Sequence, residues 1–552
     1  MLRRLDNRVG HYALLASVWA VLCLPNLGGP SLWDIDEGNN AQAAREMYES
    51  GNVIVPTFNY KLRVDKPVLL YWLQASAYHI CGVNEFAARL PSALAALLAV
   101  FVTYELGRRL FGTSAGLLAG LVLATSVAFC GAAHFANPDA LLNLCTLLTL
   151  WCFWNHYRRE GGWWLLGCGA ASGLGMLAKG PVGLVLPMTV TTVFLLWRRE
   201  LRRLWDLRLL GASVVFLLVA LPWYIWVGLE TKGEWLSGFF WKHNVQRAVG
   251  AMENHGGPFY YYILVLVAGL TPWSVFLGPT AWHALSAVRP RPDQRSTADR
   301  GQQFLLCWLV VWFVFFTVVR TKLPNYILPV YPAVALLTAS FLDDWRRGRV
   351  ALPAWVMPTS LTCLALIGVG VSLGLLIAGD AISVSALQGR SLPGLERGAW
   401  LGGVFVVGAV VAGWCVRRRW CGGLIGCVTT VGVVFTGAIA FWGVGMVDQF
   451  KAPRALVAAL PEDHTRREVR VAAFDYFQPS LVFYCQREVH CPQNDYFAFD
   501  FLRTPLPVYL FVSAEKWEQF KKFAPPTYRL VAHHRDLYNG REILLMTNDP
   551  LK

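Results

Sequence analysis

The chain has 552 residues, of which 55% are hydrophobic and only 15% charged, with 24 Trp and a formal net charge of +14. That composition excludes an ordinary soluble protein. The excess base does not read as a nucleic-acid footprint, because the arginines sit in short clusters between long apolar runs.

Apolar stretches of about 17–25 residues, enough to cross roughly 30 Å of hydrocarbon as helix, recur along the chain. They fall near 11–28, 87–107, 113–134, 138–157, 163–179, 181–197, 208–228, 259–283, 303–319, 326–342, 352–378, 399–416 and 420–447. Thirteen spans are therefore expected, with the fifth and sixth separated only by Lys179-Gly180-Pro181. The first run has a basic start but no small-x-small cleavage site, so it is expected to remain as an anchor. Basic clusters occur at Arg3/Arg4/Arg8, Arg108/Arg109, Arg158/Arg159, Arg198 to Arg208, Arg289 to Arg300, Arg346/Arg347/Arg349 and Arg417/Arg418/Arg419. With a cytoplasmic N-terminus and thirteen spans, all of them share the cytoplasmic side, as the positive-inside bias requires.

The first outward loop, residues 29–89, opens on Asp34-Ile35-Asp36-Glu37. Acids at the mouth of a membrane helix are costly, and chemistry or ion binding is the usual reason to keep them there. Residues 40–50 have helical spacing, and Asp65-Lys66-Pro67 precedes about a dozen mostly apolar, aromatic-rich residues. That run is too short to span and suits an interfacial helix. The second large outward loop, residues 229–258, places Trp235, Phe239, Phe240 and Trp241 beside His243 and Arg247. Turns at His134–Asp139, Lys179–Pro181 and Arg320–Tyr326 complete that face. Cations are scarce outside, so Lys66, Lys179, Arg247, Arg320 and Lys322 stand out as candidate phosphate binders. Simpler roles compete with these. Asp34, Asp36 and Glu37 fit a solvated loop or helix cap. Asn137-Pro138-Asp139 is a good helix start. Lys66 and Lys179 can snorkel, Arg320 and Lys322 can satisfy terminal carbonyls, and His134 and His243 fit structural roles.

From about Asp448 the composition becomes that of a soluble domain. This divides the chain into a transmembrane part, 1–447, and a small α/β domain, 448–552, that an odd span number places outside. Strands are expected at 469–474, 481–484, 508–512 and 543–546, with a helix over 515–523. Cys485 and Cys491 lie on the oxidising side, where a local disulfide or two free thiols both fit.

Several stretches resemble the GT-C fold glycosyltransferases that use polyprenyl-phosphate sugars. Within that fold they are similar to the bacterial family that transfers aminoarabinose to lipid A, relatives of the protein O-mannosyltransferases. The matching residues are Trp33-Asp34-Ile35-Asp36-Glu37, Ala44-Arg45-Glu46-Met47, Asp65-Lys66-Pro67 with Tyr71-Trp72, Leu177-Ala178-Lys179-Gly180, Ala220-Leu221-Pro222-Trp223, Phe240-Trp241 with His243 and Gln246-Arg247, and Lys322-Leu323-Pro324-Asn325-Tyr326-Ile327-Leu328-Pro329. Gly38-Asn39-Asn40 replaces the Thr-Arg-Tyr type of sequence that usually follows the acidic pair, and Asp65 replaces the usual Glu.

The resemblance implies transfer of 4-amino-4-deoxy-L-arabinose from undecaprenyl phosphate to lipid A phosphates on the periplasmic face of the inner membrane. Masking those phosphates would lower the binding of polymyxin and other cationic peptides. It implies Asp36, Asp139 and Glu37 as catalytic, and Lys66, Asp65, Arg247, Lys322, Tyr326, Lys179 and Asp34 as binding the donor phosphate and sugar. No cofactor is required by the sequence. A divalent metal could use the oxygen and nitrogen ligands present, with Asp65 and His243 as candidates, but no HExxH or clustered Asp triplet demands one. Two rivals stand: a related enzyme with a protein or glycan hydroxyl acceptor, and a lipid-linked-sugar transporter. The transporter fits less well, since the chain shows no internal repeat and its ionisable residues gather at one face.

Overall fold

The structure is a computed structural model that describes residues 8–158, 161–241, 256–288, 297–384, 391–525 and 527–550. Helices occupy all the apolar stretches. Among the described residues, seven of them are long and apolar enough to cross a membrane, or nine if two bent pairs each count as one span. The bent pairs are Thr113–Ala124 with Val127–Ala133, at 67°, and Tyr261–Gly269 with Trp273–Ala287, at 116°. Four other helices at expected spans fall short of that test: α1 (Arg8–Cys23), α7 (Asp139–Tyr157), α8 (Trp163–Lys179) and α9 (Val182–Trp197). Exposed Trp163, Trp205, Trp355, Trp400 and Trp420 lie at or beside helix starts, as expected of an aromatic belt.

Burial sorts the helices. The apolar window of Pro324–Arg346 is 89% buried, whereas that of Val356–Ala378 is 17% buried. The former is enclosed by its neighbours; the latter is mostly exposed. Glycine lets α8 and α9 approach closely. A Cβ at Gly183 would lie 2.3 Å from the carbonyl carbon of Gly175, so only glycine permits this contact. Gly180 caps α8 at φ +81°, a conformation open to glycine, and the tight turn leaves Lys179 at the end of α8.

The first long loop is folded. α2 (Asp36–Ser50) buries Ala41, Ala43, Ala44 and Met47. It packs against α3 (Leu69–Cys81), the short apolar helix expected at the interface. Strands β1 (Thr57–Phe58) and β2 (Lys61–Leu62) form a hairpin whose turn residues, Asn59 and Tyr60, have φ 51° and 61°, the positive values a two-residue hairpin turn needs. α4 (Glu85–Phe111), α5 (Thr113–Ala124) and α6 (Val127–Ala133) follow, and α10 (Arg208–Glu230) packs on α8.

Near the C-terminus, β3 (Arg470–Phe474), β4 (Val508–Ser513), β5 (Arg529–Arg535) and β6 (Glu542–Thr547) form one sheet in the order β3-β4-β6-β5. The pair β3/β4 is parallel and the others antiparallel. Alternate residues serve two cores: Val471, Tyr509 and Leu545 on one face, Ala472, Leu510 and Met546 on the other, the period of two that a strand imposes. The strand expected at 481–484 is instead a helix, Pro479–Cys485. Pro479 in its first turn presets a helical φ, and that outweighs the apolar run. β5 escapes a hydrophobic reading because it is a polar, largely exposed edge. The expected helix is shorter, Ala514–Phe520, capped by Ser513. Cys485 and Cys491 are both free thiols, the first buried and the second exposed, so the disulfide alternative does not hold.

Candidate active site

A cavity of about 700 Å³ opens where the first turn of α2, the first turn of α7, the end of α8 and the turn at Pro324–Tyr326 meet. Asp34, Asp36, Glu37, Asp65, Lys66, Asp139, Lys179 and Tyr326 all line it. The N-terminal turns of α2 and α7 both border this space, each carrying partial positive charge suited to an anion.

The acidic run divides by surroundings. Glu37 is fully buried and bidentate with Arg89, at 2.9 Å to Nε and 2.8 Å to Nη2. Its oxygens also accept from the Trp33 amide at 2.8 Å and the Ala136 amide at 2.6 Å. Arg89 donates in turn to the carbonyls of Leu27, Pro30 and Ser31. Every charge is matched, so Glu37 ties α2 to α4 and to the approach of α7. Asp34 accepts from the Ser480 amide at 2.8 Å and the Ser480 hydroxyl at 2.5 Å. Burial pushes its carboxyl up to about 7, against the opposing pull of those bonds and of Lys451. Asp36 is half-buried at the cavity wall, and its side chain has no hydrogen-bond partner among the described residues. Its charge acts on Arg63.

On the far wall, Asp139 begins α7 and is 3% exposed. It is ion-paired with Lys179 and accepts from Asn325 Nδ2 at 2.7 Å. The Lys179 ammonium lies 4.9 Å from the centre of the Tyr326 ring, within cation–π reach. Asp65 pairs with Arg63 at 3.2 Å. Arg63 also donates to Tyr71 Oη at 3.0 Å and to Asn40 Oδ1 at 3.4 Å.

Some expected residues sit elsewhere. Lys322 does not line the cavity. Its ammonium is spent on the carbonyls of Phe316, Thr317 and Val319, at 3.3, 2.8 and 3.2 Å, capping the end of Thr297–Val318. His134 bonds the Cys130 carbonyl at 2.9 Å. Arg247 and His243 lie outside the described residues. Among the described residues no group of three or more His, Cys, Asp or Glu could hold a metal ion, and Asp65 is committed to Arg63.

Sequence reasoning missed Arg63, Asn325, Gln478 and Tyr538, which also line the cavity. Arg63 was findable as one more outward cation two residues before Asp65. Gln478 and Tyr538 carry no local signal, because they arrive from the C-terminal unit. Tyr538 Oη accepts from the Asp34 amide at 2.8 Å.

These features are shared with known proteins. A family model described as dolichyl-phosphate-mannose-protein mannosyltransferase matches residues 65–226. An undecaprenyl phosphate-α-4-amino-4-deoxy-L-arabinose arabinosyl transferase of Erwinia tasmaniensis is 33% identical over 338 residues, 59% of this chain and 59% of its own. The protein of that description from Pseudomonas savastanoi pv. phaseolicola is 34% identical over 375 residues, 66% of this chain and 67% of its own. The crystal structure of ArnT from Cupriavidus metallidurans bound to undecaprenyl phosphate superposes with a TM-score of 0.78 at 23% identity, covering 98% of each chain. The match to the Erwinia protein spans about three fifths of that relative's length. The fold is thus that of a GT-C type helical membrane protein. Within that class, the chain belongs to the undecaprenyl phosphate-aminoarabinose arabinosyl transferase family.

Proposed function

We propose that the protein transfers 4-amino-4-deoxy-L-arabinose from undecaprenyl phosphate to phosphate groups of lipid A. The observation that carries this reading is one cavity in which cations, helix N-termini and a carboxylate without a hydrogen-bonded partner face each other. The bond broken joins the anomeric carbon to a phosphate oxygen. The leaving lipid phosphate keeps the electron pair and carries its charge well, so it needs cationic stabilisation rather than a strong acid. Lys66 supplies this first, with Arg63 and the helix N-termini beside it. A lipid A phosphate oxygen forms the new bond and is already anionic, so it needs little general-base help. Asp36 then holds the ammonium group of the sugar or takes a residual proton. Asp139, fixed by Lys179 and Asn325, orients the sugar with Tyr326. Glu37 acts as a positioning residue through Arg89. Inversion at the anomeric carbon follows from a single displacement.

The same reading assigns thirteen passages to residues 1–447, with the N-terminus cytoplasmic in a bacterial inner membrane. It places the loops at 29–89 and 229–258 and the domain at 448–552 in the periplasm. Support comes from the arginine clusters, which all fall opposite the cavity in that arrangement. Modified lipid A would carry less negative charge and bind polymyxin and other cationic peptides less. The mannosyltransferase match over residues 65–226 favours, as a second reading, a hydroxyl acceptor, for which Asp36 would be a true general base. Mass spectrometry of lipid A from cells with and without the protein separates the two. An added aminopentose that depends on the protein is expected; unmodified lipid A beside a glycosylated protein or glycan would establish the second reading instead.

A further inference from the structure

At the other end of α7 lies a second polar cavity, of about 330 Å³, lined by Trp154, Tyr157, Arg158, Arg203, Thr297 and Arg300. α7 runs from Asp139 at the active-site cavity to Tyr157 at this one. Its 19 residues place the two about 28 Å apart. Three arginines from three segments converge here. Orientation of the chain requires base near this membrane face but not its convergence on one concavity. Arg203 donates to the Tyr157 carbonyl at 2.9 Å, and its guanidinium lies 4.4 Å from the centre of the Tyr157 ring. Buried Nε of Arg300 has no hydrogen-bond partner among the described residues. Among the described residues the one carboxylate paired with Arg203 is Glu200, at 2.8 Å, and it is shared with Arg198 at 3.6 Å and the Tyr157 hydroxyl at 3.1 Å. Arg198, Arg203 and Arg300 thus outnumber the single carboxylate paired with them among the described residues.

Tyr157 and Arg203 also line a neighbouring cavity of about 590 Å³, which runs between α7, α8, α9 and α10 past Leu184, Met188 and Phe216. That space is mostly apolar and is reached from the lipid side, where Val185 and Met188 are exposed. His156, paired with Asp206 at 3.6 Å, also lines it. A basic head site joined to an apolar tail site matches an amphiphile with an anionic head. We propose that this two-part cavity binds an anionic phospholipid, its phosphate held by Arg158, Arg203 and Arg300 and an acyl chain lying between α8, α9 and α10. The site is separate from the active-site cavity and independent of the sugar-transfer reading.

Native mass spectrometry of the full chain in detergent tests it, with phosphatidylglycerol and phosphatidylcholine supplied in equal amounts. Phosphatidylglycerol should be retained at least tenfold better. Arg300→Gln should remove most of that preference, and Arg300→Lys should keep part of it. Ser213→Trp, which fills the apolar part and leaves the arginines intact, should weaken retention of the lipid. Should Arg300→Gln not fold, judged by gel filtration, the other two variants carry the test. Equal retention of phosphatidylcholine would overturn the proposal. So would undiminished phosphatidylglycerol binding in folded Arg300→Gln and Ser213→Trp, or displacement of the lipid by millimolar inorganic phosphate.

Discussion

Asp36 and Glu37 are neighbours on one helical turn, yet Glu37 is saturated by Arg89 and two backbone amides while Asp36 faces the cavity. Substitution should separate them by phenotype. Asp36→Asn should lower transfer at least about 100-fold with normal protein levels, read by the aminopentose content of lipid A. Arg89→Ala leaves Glu37 charged in the interior without its countercharge and with only two backbone amides as partners, a loss of about 3–5 kcal/mol; its signature is poor accumulation in the membrane and a depressed Tm. The lysines divide in the same way. Lys66→Ala should cost on the order of 100-fold in rate, whereas Lys322→Ala should keep near-normal turnover and lose only stability, since its ammonium caps helix carbonyls. A Lys322→Ala enzyme as dead as Lys66→Ala would place Lys322 back in the reaction. Asp34 adds a pH dependence. Its carboxyl is raised to about 7 by burial, so the folded state favours the neutral acid. The stability this provides is complete below about pH 4, where the unfolded group is also protonated. It is lost as pH rises through about 7. Thermal melts of the wild type between pH 4 and 8 should show that decline, and Asp34→Asn should flatten it.

At the level of elements, the informative contact is between α2 and the Pro479–Cys485 helix. A Cβ on Gly38 would lie 2.5 Å from the Ser480 nitrogen and 2.6 Å from Asp34 Oδ1. Gly38→Ala should therefore push the two apart, seen as faster proteolysis between residues 448 and 552 and as reduced transfer; unchanged proteolysis would show that the interface gives way elsewhere. This glycine falls where the family's usual sequence departs, and its reason is spatial rather than local. The helices, the folded first loop and the short apolar helix α3 were legible, because 3.6-residue periodicity and apolar length act locally. The helix at 479–485 was misread as a strand, since a buried apolar run of seven residues suits either state until Pro479 is weighed. β5 was not legible, because an exposed edge strand has no apolar face to announce it.

At the level of the whole molecule, the C-terminal unit is bonded to the loop that carries the acids. Lys451 donates to the Ser31 carbonyl at 2.7 Å and pairs with Asp448 at 2.8 Å, and its ammonium lies 4.0 Å from the centre of the Trp33 ring. Tyr484 accepts from the Leu32 amide at 2.7 Å, and Asn59 exchanges two hydrogen bonds with Val489. Deleting residues from 449 onward should thus abolish transfer even where the membrane part still inserts, because Asp34, Arg45 and Asn59 lose buried partners. Retained activity would show that the unit does not build the cavity wall. The sequence alone determined the membrane class, the apolar helices and the short list of acids and bases, because hydrophobic length and charge placement are properties of neighbours along the chain. Only the tertiary structure decided which of those charges share a cavity, which are cancelled by partners such as Arg89, and that Tyr538 reaches Asp34 across 504 positions. Pairing between distant charges depends on how helices pack, and no spacing along the chain encodes it.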